Sequence, residues 1–454
     1  MPPLLHQTAP LSLSTAWRQH GSLLLRLTLV PFLVNCKPSE AFLSLYLTQP
    51  VAEGGKGLTE AQLNEEVWPY DTYGAFALLL PAGYLAEVLG YRSVILLGLL
   101  CREATRALLL FGEGVGCMAA MQVAYAAAGA ALTVFFAYVL TATAPEVRAA
   151  ATSSALVAYH AGNVLGSVLG SVLRPLVPLR ALFYISWGST SLGMLCFALL
   201  PPSVHSAPPS LASLLRRHGP CAVAAELREL YAPGLVRLWL LWWCLGFAAH
   251  HILGNYYQMQ LLERATPAQR AAFGYVEAGL EAAMLVGSLG AALAPRAALR
   301  RDAAVLGVGG ALTAACLLLT LALRSPPGMA LAATLNCVAF GALAFQQACG
   351  TVAIAAALRG RPRFSVVLTT NTFAALGVAM LAQKVAAAYH AGTSAHYWMA
   401  IGAVSLLAVG CAAVHAATPP PKSGAEVEGT ERDELDEGEA LGQMQSTVAS
   451  RGSR

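Results

Sequence analysis

The feature that most constrains this chain is the recurrence of long apolar runs along almost its whole length. A hydrocarbon core about 30 Å thick is crossed by about 20 apolar residues in an α-helix. Twelve such runs are read here, over about 22–47, 69–90, 93–111, 116–143, 148–173, 180–200, 235–262, 271–295, 303–323, 328–358, 364–388 and 394–416. Only 11% of the residues are charged, where a soluble domain carries about 25%. Alternating strand patterns of about ten residues are absent, which argues against a membrane barrel. The expected fold is all-α and polytopic, with about twelve transmembrane helices.

Between the sixth and seventh runs, PPSVHSAPPSLASLLRRHGP breaks the pattern with prolines, serines and bases. The chain therefore divides into a six-helix half over 1–200, a central loop over 201–234 and a second six-helix half over 235–416. Residues 417–454 form an acidic tail, poor in aromatics, expected to be disordered. The net charge of +4 hides this split, because the tail carries −4 and the membrane body +8. Arginines concentrate in loops on one side, among them Arg92, Arg148, Arg216, Arg217, Arg300 and Arg301. That side is expected to be cytoplasmic, with both termini and the central loop on it, most simply at the plasma membrane.

Several chemistries are not expected. The ten cysteines include no CxxC pair, so structural zinc is not expected. No GxxxxGKS or GxxxxGKT string occurs, so this chain does not read as an ATPase. His250 and His251 are adjacent and point about 100° apart on a helix, so they cannot both face one haem iron. No catalytic residue, cofactor, metal or nucleic-acid partner is expected.

Ionisable groups within a span are costly and point to function. In the first run Lys37 and Glu40 lie three apart and share a helix face, with Pro38 between them to kink the helix. They either neutralise each other at the kink or face a wet cavity. The second run opens with WPYDTYGAF, which brings Asp71 and Tyr73. The third carries Arg102, Glu103 and Arg106 in CREATRALLL. There Glu103 and Arg106 could pair and leave Arg102 for Glu40 or Asp71; the group is a structural cluster or an anion clamp. The seventh run carries AAHHILGNYYQMQLLE, with His251, Asn255 and Gln258 along one face and Tyr256 beside them. Glu277 and Glu281, one turn apart in the eighth run, are a like-charge pair that suits a proton-coupled site or has separate partners.

After the second run, GYLAEVLGYR resembles the major facilitator loop signature through Gly83, Leu85, Glu87, Gly90 and Arg92. Its glycines permit close helix contact, and Glu87 with Arg92 is read as a gating latch. Further strings resemble the reduced folate and thiamine carrier family of that superfamily: KPSEAFLSLYL, NEEVWPYDTY, RLWLLWWCLG followed by GNYYQ, VEAG and TNTFAAL, all in the family's order. The resemblance implies uptake of an organic vitamin by alternating access, coupled to a proton or an organic anion. It also implies ligand contacts at Glu40, Asn255 and Phe135.

The departures bear on the ligand. Leu132 stands where folate carriers have an arginine and thiamine carriers a glutamate, and Asp71 replaces a pocket tryptophan. Gly341 and Ala379 stand where folate carriers hold cations. Glu40, Asp71 and Glu277 thus favour a thiamine-like cation, with reduced folate or another organic anion as the alternative. A non-transporting membrane sensor with a carrier fold is the alternative of another class.

Overall fold

The computed structural model describes residues 13–144, 146–200, 225, 227–229, 231, 234–293, 299–323, 328–357, 364–390 and 392–417. Most of the central loop and the acidic tail lie outside the described residues. Twelve long helices run through the described part. They are α1 (Leu13–Asn35), α2 (Trp68–Leu89), α3 (Tyr91–Phe111), α4 (Gly114–Ala142), α5 (Arg148–Leu173), α6 (Leu179–Ala198), α7 (Gly234–Leu262), α8 (Phe273–Leu293), α9 (Leu299–Ala322), α10 (Met329–Ala357), α11 (Phe364–Ala388) and α12 (Thr393–Ala417).

Sequences rich in Ala, Gly and Leu hold as long helices here because lipid offers backbone groups no partner, so each segment satisfies its own. The solvent logic is inverted as well. Leu97 and Leu100 of α3, Leu192 and Leu195 of α6, and Leu406 and Val409 of α12 are exposed, where they meet lipid tails. Gly90 alone separates α2 from α3; its φ of 84° is a left-handed conformation that residues with a Cβ avoid.

The helix pairings repeat with a shift of six. In the first half α1 packs on α5 and α6, α4 on α2 and α3, and α3 on α6; in the second, α7 packs on α11 and α12, α10 on α8 and α9, and α9 on α12. The two halves meet through α5 with α8 and through α2 with α11. Those contacts exchange under the same shift, which is the signature of two halves related by an axis between them.

The first span departs from a continuous helix. α1 ends at Asn35; residues 36–39 are non-helical, a 3-10 turn covers Glu40–Phe42, and a short helix covers Leu43–Thr48. Pro38 has no amide hydrogen to give the ladder, and the freed groups find tertiary partners. The Ser39 amide donates to Ser186 Oγ (3.0 Å), and Ser189 Oγ donates to the Leu33 carbonyl (2.8 Å). Gly162, Gly166 and Gly170, one turn apart on α5, press against the backbone of Phe32, Lys37 and Pro38. A Cβ on any of the three would overlap that backbone, so a glycine face lets α5 seat the break.

Candidate functional site

The break in α1 opens onto a cavity of about 180 Å³ between the two halves. Its lining comes from both: Lys37 and Glu40 from the break, Asp71 from α2, Arg106 from α3, Gln122 and Tyr125 from α4, Tyr159 and Asn163 from α5, Asn255 and Gln258 from α7, and Glu277 and Glu281 from α8. Polar groups converge there in a fold that is mostly apolar, as a small-molecule site requires.

One side is cationic. Lys37 Nζ lies 3.2 Å from Glu40 Oε2, and Arg106 Nη2 reaches the same oxygen at 3.4 Å. Lys37 and the Arg102 guanidinium each stand 5.8 Å from the centroid of the Tyr125 ring, within cation–π range. Arg102 Nη1 and Arg106 Nε are buried with no hydrogen-bond partner among the described residues. The spacing that would pair Glu103 with Arg106 is not used. Glu103 instead accepts from Trp187 Nε1 and from Ser191 Oγ (2.7 Å) on α6, partners that helix periodicity cannot reveal.

The other side is acidic. Glu281 accepts from Asn163 Nδ2 (3.1 Å) and meets His160 Nδ1 at 2.9 Å, across the boundary between the halves. Glu277 Oε2 is buried with no hydrogen-bond partner among the described residues. Asp71 lies 3.7 Å from His251 Nε2, which also meets Thr72 Oγ1 at 3.0 Å. Gln258 closes the roof: its side chain donates to the Glu40 carbonyl (3.0 Å) and accepts from the Ser44 amide (3.3 Å).

Three residues expected at the site stand elsewhere. Phe135 packs against Tyr138 and Phe197 (centroids at 6.3 and 6.2 Å) in a separate apolar cluster with Val30 and Val34. Leu132 lines the same small, mainly apolar pocket as Phe135, which Arg102 also borders. Tyr256 is fully buried, stacked on His396 at 3.6 Å, with its hydroxyl donating to the Asn64 carbonyl (3.2 Å). Tyr73 sits beside Tyr70 and under Lys384 Nζ (5.5 Å). In the loop signature, Arg92 donates to the Ala198 and Leu200 carbonyls at the end of α6, while the Glu87 side chain lies outside the described residues. Sequence reasoning missed Gln122, Tyr125, Tyr159 and Asn163. Their signal was present, as polar groups inside the apolar runs of α4 and α5.

A line of hydrogen bonds beyond the cavity joins the halves on one face. Asn64 Nδ2 donates to Thr393 Oγ1 (3.1 Å), Thr393 Oγ1 donates to Glu60 Oε1 (2.8 Å), and Ser171 Oγ donates to the Ala271 carbonyl (3.0 Å). The cavity is thus closed toward the face that carries residues 48–67, 263–272, 389, 390 and 392.

The family model described as Reduced folate carrier matches residues 17–207 and 216–393. Thiamine transporter 2 of Mus musculus is 28% identical over 303 residues, covering 56% of this chain and 61% of that protein. The reduced folate transporter of Homo sapiens is 27% identical over 291 residues, covering 57% of this chain and 48% of that protein. The chain thus spans less than two thirds of the length of these curated relatives. Among solved structures, the crystal structure of peptide transporter POT in complex with sulfate superimposes with a TM-score of 0.63 at 16% identity, covering 86% of this chain and 94% of that one. That likeness establishes the major facilitator fold. With twelve helices in two like halves, a polar cavity between them and a family match over most of its length, this multi-pass membrane protein belongs to the reduced folate carrier family.

Proposed function

We propose that the chain is a secondary transporter of an organic vitamin, working by alternating access, with a thiamine-like organic cation as its ligand. The observation that carries this reading is the acidic wall of the central cavity. Asp71, Glu277 and Glu281 line it together, and Glu277 has an oxygen buried without a hydrogen-bond partner among the described residues. Carboxylates withdrawn from bulk water into a cavity within the membrane attract a cationic heterocycle strongly. Asn255 and Gln258 contribute hydrogen-bonding groups to the same lining, and a thiamine transporter is among the relatives.

The closed face is read as the outside, because basic residues gather in the loops opposite it and such loops stay cytoplasmic. The plasma membrane, cytoplasmic termini and coupling to a proton or an organic anion belong to the same reading. Reduced folate or another organic anion is the second reading, supported by Lys37, Arg102 and Arg106. Uptake of radiolabelled thiamine in cells lacking their own thiamine and folate carriers tests both. Uptake above the vector control, competed by unlabelled thiamine, is expected. Uptake of labelled folate competed only by folates would favour the second reading, and uptake of neither would overturn both.

A further inference from the structure

The cationic side of the cavity holds more positive charge than its surroundings neutralise. Lys37, Arg102 and Arg106 are each about 95% or more buried, with 5%, 5% and 2% of their surface exposed. Glu40 is the carboxylate that meets Lys37 and Arg106. Glu103 is turned away to Trp187 and Ser191. Arg106 lines the cavity and leaves Nε without a hydrogen-bond partner among the described residues. Arg102 borders the adjoining apolar pocket rather than the cavity itself and leaves Nη1 unpaired among the described residues, with its guanidinium above Tyr125. Two cations on one carboxylate, with the Arg102 guanidinium behind them unpaired at Nη1 among the described residues, leave room for a further anion to complete the group.

Acids and bases here share one lining rather than occupying separate clefts. Glu277, Asp71, Lys37 and Arg106 all border the same space of about 180 Å³. If the ligand were a simple cation, Arg106 and Lys37 would oppose it. If it were a simple anion, Glu277 and Asp71 would do so. A site with both poles in one small volume discriminates for a molecule carrying both charges.

We infer that the ligand of this cavity is bipolar: it carries an oxyanion, phosphate or carboxylate, that binds at Lys37 and Arg106 with the charge of Arg102 behind Tyr125, joined to the cationic group that binds at Asp71 and Glu277. Guanidinium groups suit this role because their planar donors match the oxygens of phosphate or carboxylate. The inference rests on the reading of the chain as a vitamin carrier and narrows it, from a bare cation to a cation bearing an acid group.

The test uses the full chain, purified and reconstituted in nanodiscs, with tritiated thiamine displaced by unlabelled thiamine, by thiamine monophosphate or by inorganic phosphate. Thiamine monophosphate is expected to bind about tenfold or more tightly than thiamine, the gain of one or two charge-assisted hydrogen bonds. Arg106→Gln and Arg102→Gln are each expected to cut that preference to about threefold or less. Using both variants, each checked for a monodisperse elution profile, keeps the test open if one fails to fold; the comparison of ligands on the unaltered chain stands without either. Equal or weaker binding of the phosphate ester on the unaltered chain would overturn the bipolar ligand while leaving a cation carrier intact. A preference that survives both substitutions would overturn the assignment to these residues. Inorganic phosphate that raises thiamine affinity as much as the covalent ester does would show a separate co-bound anion, and would also overturn it. Binding of neither thiamine nor its ester would overturn the thiamine-like reading together with the bipolar ligand.

Discussion

Glu40 serves two cations through one oxygen, at 3.2 Å from Lys37 and 3.4 Å from Arg106. A charge inside a span costs about 2.5–3.5 kcal/mol on insertion scales, so the cluster persists because its members offset one another. Glu40→Gln would leave Lys37, Arg102 and Arg106 without this carboxylate. Breaking a buried pair from one side costs about 3–5 kcal/mol; because Glu40 is 23% exposed to the cavity, the lower end applies. The expected outcome is a clear fall in melting temperature of the purified protein and, on the proposed function, uptake reduced about tenfold or more. Unchanged melting and unchanged uptake would remove Glu40 from both roles. At this scale the sequence was partly legible. A three-residue spacing brought Lys37 to Glu40, as a helical face suggests. The same spacing did not bring Glu103 to Arg106, because Trp187 and Ser191 on another helix hold Glu103 first. Contacts such as His160 with Glu281 join residues 121 apart, and no local pattern encodes them.

The broken first span shows how an element is set by its neighbour. Pro38 announced the break in the sequence, yet a proline alone explains only the lost donor. What holds the break is α5, whose Gly162, Gly166 and Gly170 bring its axis onto the backbone of Phe32, Lys37 and Pro38. Such small-residue faces permit close helix approach where no water drives association. The stripe is visible in AGNVLGSVLGSVL, but its partner is not, since any helix could have faced it. Gly166→Ala would force a methyl group into the Lys37 backbone and push the lysine out of place. Overpacking of this kind costs about 1–3 kcal/mol, so melting temperature should fall and the Lys37–Glu40 pair should loosen, with uptake falling as well. Gly188→Ala on α6 is the matched control: nothing lies within 4 Å of a Cβ built there, and in a helix the change should be neutral or stabilising by up to about 1 kcal/mol. If the two variants melted alike, the seating of the break by α5 would be wrong.

At the scale of the whole molecule, the shift of six helices that repeats the pairings also exchanges the two contacts between the halves, α5 with α8 and α2 with α11. Under the proposed alternating access, two bodies in contact this way would rock about the cavity, and the face now closed would be one of two positions. The twelve spans were legible because lipid demands apolar length from each helix by itself. The closed state was not, since its contacts pair helix ends and short connecting segments across the halves. One of those contacts titrates near neutrality. Glu263, just beyond α7, sits beside Glu60 and Thr393; partial burial first, and then the neighbouring Glu60 carboxyl, push it up to about 7, against smaller opposing pulls from the Thr393 hydroxyl and then Arg264. His390 and Glu65, 3.0 Å apart, border the same face. An acid whose pKa is raised in one state makes that state bind more protons than the alternative. Closure is therefore favoured at low pH, and it weakens as pH rises through about 7, when Glu263 ionises beside Glu60. A cysteine placed at the buried Asn64, on a background without other reactive thiols, should be labelled by a membrane-impermeant maleimide faster at about pH 8 than at about pH 6. Glu263→Gln should flatten that dependence while leaving labelling slow at both values, because the amide cannot ionise. A pH dependence that survives in Glu263→Gln would assign the closure to another group on this face, with His390 the next to substitute.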